Sequence, residues 1–176
     1  CIGKGAYKIG PNDLKLMQSL VKAGTDHSKF MRMINVTMDI TAPRYWWAEA
    51  DTYKVSTVRN SCSTMHKIHS KEFTLNDFSH EHLDGYSLDI LENIIIRLND
   101  NRKHYIETKD KDYWWQLIQL LPTSYNQKAT WQANYQVLRN IYFARRAHKL
   151  DEWIDFCHMI EELPYSQELI CYGINT

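Results

Sequence analysis

The sequence predicts an α+β fold that is mostly helical with a small sheet, in a single domain over residues 1–176. Apolar residues recur at helical spacing in several segments, whereas the segment 35–41 alternates with period two. The chain has 44% hydrophobic residues with 6 Gly and 4 Pro, which excludes disordered and collagen-like proteins. We find no internal repeat and no Gly/Ser/Pro-rich linker, so we place no domain boundary within the chain.

The first half of the chain is expected to hold the strands. Asn12 and Asp13 can cap a helix that Gly24 ends. Val36 and Ile40 share one face of the best strand candidate, with polar residues on the other face. In order, we expect a helix over 12–23, a helical turn over 27–33, a strand over 35–41, a helix that begins at Pro43, a second strand over 52–58, and a helix capped by Asn60 or Ser61.

The second half is expected to be helical throughout. Its segments begin at residues that can cap a helix, and Pro122 and Pro164 end two of them. Trp131, Tyr135 and Leu138 recur at spacings that are typical of one helix face. We expect helices that begin after Ser87 and Asp110, a long helix that is capped by Asn126 and ends near His148, and a last helix over 153–163.

The charge balance argues against two classes of protein. Lys and Arg number 21 and Asp and Glu number 21, so no net charge exists to hold polymeric nucleic acid or an acidic membrane surface. No apolar run approaches the roughly 20 residues that a membrane-spanning helix needs.

The 4 cysteines are scattered and form no Cys-x-x-Cys pair, so we expect reduced thiols in a cytoplasmic protein.

Histidines and cysteines offer weak candidates for chemistry. His66 and His69 lie three residues apart, and the segment 80–84 holds further imidazoles and carboxylates. Neither set matches a complete metal site, so we predict no metal. Cys157 lies on the apolar stripe of its helix and is expected in the core rather than as a nucleophile. For Cys62, which lies in a Ser/Thr-rich segment, both interpretations stay open.

Basic and hydroxyl side chains indicate an anion site. Ser61 and Ser63 lie between Arg59 and Lys67 at a predicted helix start, where amides, hydroxyls and cations favour phosphate. Simple helix capping explains the same residues equally well. Arg145 falls near the apolar stripe of the predicted long helix. Such a guanidinium either pairs internally or faces a ligand pocket with its bidentate fork, and we favour the pocket.

Three short segments match a known pattern. Residues 24–30 hold Ser28 and Phe30 before the strand, and the strand leads through an aromatic helix to a hydroxyl-rich stretch that ends at Ser61. The third segment consists of Leu121, Pro122, Asn134, Leu138 and Arg145. In these segments the chain resembles the flavin-dependent thymidylate synthases, the ThyX family, with its Gly-His-x-Ser-Pro-Phe-Glu helix start and its Asn-x-Arg-x-x-Leu…Leu-Arg helix.

The resemblance implies an α+β fold with a small antiparallel sheet and a homotetramer with active sites between subunits. It admits FAD as a cofactor without requiring it. The family's signature is Arg-His-Arg followed, after seven residues, by Ser, and with Ser61 as that Ser the triplet here is Asp51-Thr52-Tyr53. These residues do not supply the cationic donors that polarise a pyrimidine. Gln136 replaces the family's Arg in Asn-x-Arg, and Arg139 could restore that charge.

We therefore expect a divergent ThyX-like protein that binds a nucleotide or nucleotide-derived small molecule in an inter-subunit pocket, without standard dUMP methylation. One purpose of such binding is to sequester a nucleotide signal, as a phage protein would do. The alternatives are a FAD-dependent thymidylate synthase or related flavin-dependent pyrimidine-modifying enzyme, and a purely structural or protein-binding oligomer whose pocket has closed. No catalytic residue is assigned. The candidate ligand-binding residues are Ser28, Trp47, Tyr53, Arg59, Ser61, Ser63, Gln136, Arg139 and Arg145.

Overall fold

The structure is a computed structural model that describes residues 8–173. Its helices are α1 (Pro11–Lys22), α2 (Arg44–Ala50), α3 (Thr64–Lys67), α4 (Gly85–Thr108), α5 (Lys111–Leu120), α6 (Tyr135–Arg145), α7 (Asp151–Glu161) and α8 (Ser166–Leu169). Its strands are β1 (Asn35–Pro43), β2 (Val58–Ser61) and β3 (Asn126–Asn134), and 3-10 turns cover Lys29–Met33 and Leu75–Asp77. Among residues 8–173, no helix has both the length and the apolar character needed to cross a membrane.

The three strands form one antiparallel sheet in the order β1-β3-β2. The strand that comes last in the sequence therefore lies in the middle. In β3 the buried Ala129, Trp131 and Ala133 alternate with the more exposed Thr130 and Gln132. This alternation is typical of a strand with one covered face. The predicted α+β class, mostly helical with a small antiparallel sheet, is confirmed.

The prediction of one long helix over 126–148 is wrong, because its first part forms β3 and only the later part forms α6. The spacing of Trp131 and Tyr135 spans the junction between a strand and a helix rather than one helix face. The helix begins where the Asn134 side-chain oxygen accepts a hydrogen bond from the Val137 N–H at 3.0 Å. The sheet thus takes its central strand from the second half of the chain, against expectation.

The second predicted strand is also displaced, since β2 begins where the predicted range 52–58 ends. The N–H of Thr52 bonds the carbonyl of Glu49 at 3.0 Å, and the N–H of Tyr53 bonds the carbonyl of Ala50 at 3.1 Å. These bonds close a turn at the end of α2. The backbone of that segment therefore has its partners locally and does not join the sheet.

Two predicted caps shift by a few residues. Ser63, not Asn60 or Ser61, caps α3, because its hydroxyl accepts a hydrogen bond from the N–H of His66 at 3.3 Å. Asp84 caps α4 with a carboxylate that accepts the N–H of Ser87 at 2.8 Å. Helices α1, α2, α5 and α7 and strand β1 form where the sequence predicts them, within two residues of each predicted bound.

One compact unit holds residues 38–53 and 59–131. Within it, α4 packs against α5 across the short connection formed by residues 109–110. Trp46, Trp47 and Trp131 pack edge to face with ring centroids 4.9 to 6.3 Å apart. The aliphatic and phenyl core of this unit comprises Ile68, Phe73, Phe78, Leu91, Ile95, Leu98, Leu117 and Leu121.

The other compact unit holds, of the described chain, residues 8–37, 54–58 and 132–173. Helix α6 packs against α7 and against the 3-10 turn that precedes β1, and α1 packs against α8. Leu138, Ile141, Trp153 and Ile160 are fully buried here. The expectation of a single domain over 1–176 stays a prediction.

Candidate functional site

A cleft of about 500 Å³ opens beside the hydroxyl-rich segment in the unit of residues 38–53 and 59–131. Lys67, Lys71 and Lys128 line it, and we call it the basic cleft. Its lining also includes Thr41, Cys62, Ser63, Thr64, Ser70, Asn76, Asp77, Tyr125, Asn126 and Gln127. A volume of this size lies within the range of roughly 300–1,000 Å³ that is usual for small-molecule sites.

The three lysines of the basic cleft differ in how far they are neutralised. Lys71 pairs with Asp77, and the hydrogen bond to that carboxylate raises the pKa of Lys71. Lys128 lies 3.0 Å from Asp39. Hydrogen bonds from Thr130 and Lys128 lower the pKa of Asp39.

Lys67 is exposed and forms no ion pair with any residue in the range 8–173. Its ammonium group is therefore the least compensated charge in the basic cleft. The cleft offers this charge together with hydroxyl donors, an arrangement that suits an anionic group.

Arg59 is not among the residues that line the basic cleft, but it contacts one that is. Its guanidinium donates to Asp51 at 2.6 Å and to the side-chain oxygen of Gln127 at 2.7 Å, and lies 3.9 Å from the centre of the Trp47 ring. The amide nitrogen of Gln127 then donates to the carbonyl of Cys62 and to the hydroxyl of Thr64, each at 3.1 Å. Arg59 thus positions a residue that lines the cleft.

Three further candidate ligand-binding residues, Trp47, Tyr53 and Ser61, lie in the same unit as Arg59. Trp47 is buried, with 1% of its surface exposed, and its indole N–H donates to the carbonyl of Gln127 at 2.9 Å. Tyr53 is half-buried in the turn after α2, and Ser61 is exposed at the end of β2. A ligand-binding role for Trp47, Tyr53 and Ser61 stays a prediction.

Ser28 and Gln136, from the other unit, are brought together. Both are buried, and the Ser28 hydroxyl donates to the side-chain oxygen of Gln136 at 3.1 Å. The Gln136 amide nitrogen donates in turn to Asn140 at 3.1 Å. The three polar side chains therefore satisfy one another within α6 and the turn before β1.

Arg139 and Arg145, in the same unit, each contact protein groups. Arg139 donates to the carbonyls of Leu169, Ile170 and Tyr172 at 3.2, 2.5 and 2.7 Å, and burial lowers its pKa. Arg145 donates to the ring of His148 at 2.9 Å, and its guanidinium lies 4.9 Å from the centre of the Trp153 ring. These contacts stabilise the unit, and the predicted ligand contacts of the two arginines stay predictions.

The sequence reasoning missed two of the three lysines and all of the residues that β3 and the turn before it bring to the basic cleft. Lys128 and Gln127 lie on β3, where the sequence predicts a helix, and Lys71 lies in the loop after α3. The missed signal was the period-two pattern in which Ala129, Trp131 and Ala133 alternate with polar residues. With that strand recognised, Lys128 and the hydroxyl-rich segment become neighbours in one sheet.

The cysteines and histidines that the sequence offered as candidates differ in their surroundings. Burial raises the pKa of the Cys157 thiol to about 11, in agreement with its expected place in the core. Cys62 is exposed and lines the basic cleft. Within residues 8–173, no group of three or more His, Cys, Asp or Glu side chains is arranged to hold a metal ion.

Comparisons with known proteins bear on the fold. No protein-family model matches the sequence, and a search of curated proteins gives no significant match. Two solved structures of the flavin-dependent thymidylate synthase ThyX from Helicobacter pylori, each with FAD and dUMP, match the structure. One has a TM-score of 0.67 and 16% identity over 92% of this chain and 82% of the other. The second has a TM-score of 0.68 and 16% identity over 94% and 84%. The chain therefore has the fold of the flavin-dependent thymidylate synthases, as its resemblance to the ThyX family implied.

Proposed function

We propose that this chain is a divergent ThyX-like protein that binds a nucleotide or nucleotide-derived small molecule, with the phosphate in the basic cleft. The observation that carries the proposal is the grouping of Lys67, Lys71 and Lys128 with the hydroxyls of Ser63 and Thr64 around one cleft. Ammonium groups and hydroxyls donate hydrogen bonds to phosphate oxygens, and a charged partner strengthens such bonds. The cleft has more cationic than anionic groups in its lining.

The solved relatives in fold support the ligand class. The Helicobacter pylori structures hold dUMP and FAD, both of which carry phosphate. We extend from that fold to a homotetramer in which the binding pocket lies between subunits, in a cytoplasmic protein. Native mass spectrometry of the protein as purified tests the assembly and any retained ligand in one spectrum. A bare monomer would contradict this part of the proposal.

The residues at the signature triplet do not fit a flavin. Asp51 carries a negative charge where the resemblance places the first Arg, and it accepts a hydrogen bond from Arg59, so that this guanidinium is already paired. The hydroxyl of Thr52 donates to the carbonyl of Glu49 at 2.7 Å. A carboxylate repels the diphosphate of FAD. We therefore derive no catalytic step through FAD and propose binding without standard dUMP methylation.

A protein that binds a nucleotide without consuming it can lower the free concentration of that nucleotide. We extend the proposal to this use, the sequestration of a nucleotide signal in the manner of a phage protein. The altered triplet Asp51-Thr52-Tyr53 supports it, since it removes cationic donors while the basic cleft keeps three lysines.

The alternative is a FAD-dependent thymidylate synthase or a related flavin-dependent pyrimidine-modifying enzyme. The FAD and dUMP of the Helicobacter pylori structures favour it. It requires the purified protein to bind FAD and to oxidise NADPH faster when dUMP is added. A colourless protein that FAD does not reconstitute would remove this alternative. A purely structural oligomer would show no thermal shift with any nucleotide, because a ligand that binds the folded state raises its stability.

The decisive experiment is calorimetric titration with dUMP and with deoxyuridine, which lacks the phosphate. We expect dUMP to bind at least about tenfold more tightly, a difference of about 1.4 kcal/mol. The double variant Lys67→Gln/Lys128→Gln should abolish that preference. Lys103→Gln, which removes an exposed lysine outside the lining of the cleft, is the matched control. Equal affinity for dUMP in the double variant and the control would overturn the placement of the phosphate.

A further inference from the structure

A second cavity, of about 660 Å³, lies beside α3. Thr64 and Lys67 of this helix line the basic cleft, whereas Met65 and His66 line the second cavity. The two cavities thus share the short helix but none of their lining residues. The second cavity is also lined by His69, Tyr105, Lys109, Lys111 and Trp114, all within the unit of residues 38–53 and 59–131.

The corner between α4 and α5 supplies two cations to the second cavity. Lys109 ends α4 in the left-handed conformation, with φ 58°, and Lys111 is the first residue of α5. Both are exposed, and neither forms an ion pair with another residue of the described chain. No carboxylate is among the described residues that line the cavity. The carboxylate of Asp110, between the lysines, accepts the N–H of Asp112 at 3.0 Å as the cap of α5.

Aromatic rings supply the rest of the wall. The rings of His69 and Tyr105 lie 5.0 Å apart at 75°. The indole N–H of Trp114 donates to the carbonyl of Met65 at 3.2 Å, which fixes the orientation of that ring. Such rings can stack on a planar group of a ligand.

One polar atom beside the second cavity has no partner. The Nδ1 atom of His69 is buried and makes no hydrogen bond with the residues that the structure describes. Buried polar atoms are seldom left in this state, because an unmet hydrogen bond is costly. A polar atom of a bound molecule would satisfy it.

We propose that the second cavity binds a small anion in which a phosphate or carboxylate is attached to an aromatic ring system. Lys109 and Lys111 hold the anionic group, and Tyr105 and Trp114 contact the ring. This site is separate from the basic cleft and goes beyond the proposed function. The Lys109 ammonium group lies 5.8 Å from the centre of the Tyr105 ring, and that of Lys111 lies 5.9 Å from the centre of the Trp115 ring. No carboxylate of the described chain neutralises either charge, so both attract an anion to the open cavity, and salt weakens that attraction.

The experiment titrates AMP, adenosine, inorganic phosphate and benzoate into the Lys67→Gln/Lys128→Gln protein, in which the basic cleft has lost two cations. We expect AMP or benzoate to bind, and adenosine and inorganic phosphate, which each lack either the anionic group or the ring, to bind at least about tenfold more weakly than the tighter of the two, a difference of about 1.4 kcal/mol. AMP without benzoate would assign the site to phosphates, and benzoate without AMP to carboxylates. If neither binds, the proposal fails.

The location is tested by adding Lys109→Asn and Lys111→Gln to that protein. Asn tolerates the left-handed conformation of residue 109, and circular dichroism would check that the helices remain. Binding should weaken at least tenfold, while Lys103→Gln in the same background should leave it unchanged. Binding that survives the loss of both lysines would overturn the assignment. A loss of dUMP binding in the Lys67→Gln/Lys128→Gln protein tests the proposed function only. It says nothing about the second cavity, so the two proposals can fail separately.

Discussion

The guanidinium of Arg59 lies 3.9 Å from the centre of the Trp47 ring and joins two parts of the chain that are far apart in sequence. It bonds Asp51 on one side and Gln127 on the other. Through Gln127, the contact reaches Cys62 and therefore the wall of the basic cleft. Arg59 therefore supports a lining residue of the cleft, while its own positive charge is paired with Asp51.

Replacing Arg59 should destabilise the protein more than removing the charge of its partner Asp51. We expect Arg59→Lys to lose about 1–2 kcal/mol, since an ammonium group does not replace two directed bonds and the contact with Trp47. Asp51→Asn should cost less than about 1 kcal/mol, because that carboxylate is 51% exposed and surface ion pairs contribute little. Chemical denaturation would measure both, and equal losses would contradict the role of the Trp47 and Gln127 contacts.

The cap of α6 should be a point of sensitivity. Asn134 is buried, with 2% exposed, and its oxygen accepts the N–H of Val137 at 3.0 Å. We expect Asn134→Ala to lower the free energy of unfolding by about 1–2 kcal/mol, and Asn134→Ser, whose neutral hydroxyl can also accept the N–H, to lower it less. Asp110→Ala, at the exposed cap of α5, is the comparison and should cost less. Equal thermal stability of the two alanine variants would argue against the buried cap.

Thiol labelling should report on the basic cleft. Cys62 is exposed, whereas Cys157 and Cys171 are buried, and burial raises the pKa of Cys157 to about 11. We expect a thiol reagent to modify Cys62 rapidly and the two buried thiols slowly. Comparison with Cys62→Ser isolates this thiol from Cys1, which lies outside the described residues. Saturating dUMP should slow the labelling of Cys62, and an unchanged rate would count against a ligand in the cleft.

Acid should destabilise the protein through Asp77. Burial raises the pKa of Asp77, but hydrogen bonds from Lys71 and Thr74 outweigh it and hold the pKa below its ordinary value of 3.8. The unfolded state then binds the proton more readily, so stability is present above this ordinary value and is lost as the pH falls toward the lowered pKa. Denaturation midpoints measured between about pH 5 and 2.5 should fall with pH. Asp77→Asn should flatten that dependence, and an unchanged slope would contradict it.

The elements that the sequence predicted well are those whose ends are determined by residues next to them in the chain. Helix α1 ends just before Gly24, which has φ 108°, and α5 ends before Pro122. A left-handed glycine and a proline stop a helix whatever the rest of the chain does. Strand β3 was missed because its conformation depends on β1 and β2, which lie far away in the sequence.

The candidate site shows the same division. The residue types of the segment from Arg59 to Lys67 alone favour an anion site, and this site stays a proposal. The hydrogen bond from Arg59 to Gln127, 68 residues further along the chain, could not be predicted, because no local pattern encodes that contact. Lys128 was hidden by the same error that assigned β3 to a helix.

The central place of β3 has a consequence for the newborn chain. During translation, β1 and β2 leave the ribosome before residues 126–134 have been made, and both of them pair with that later strand. Until it emerges, their backbone amides and carbonyls lack native sheet partners and remain open to pairing with other chains. Synthesis of β3 is thus the step that ends this exposure and commits the growing polypeptide to its sheet.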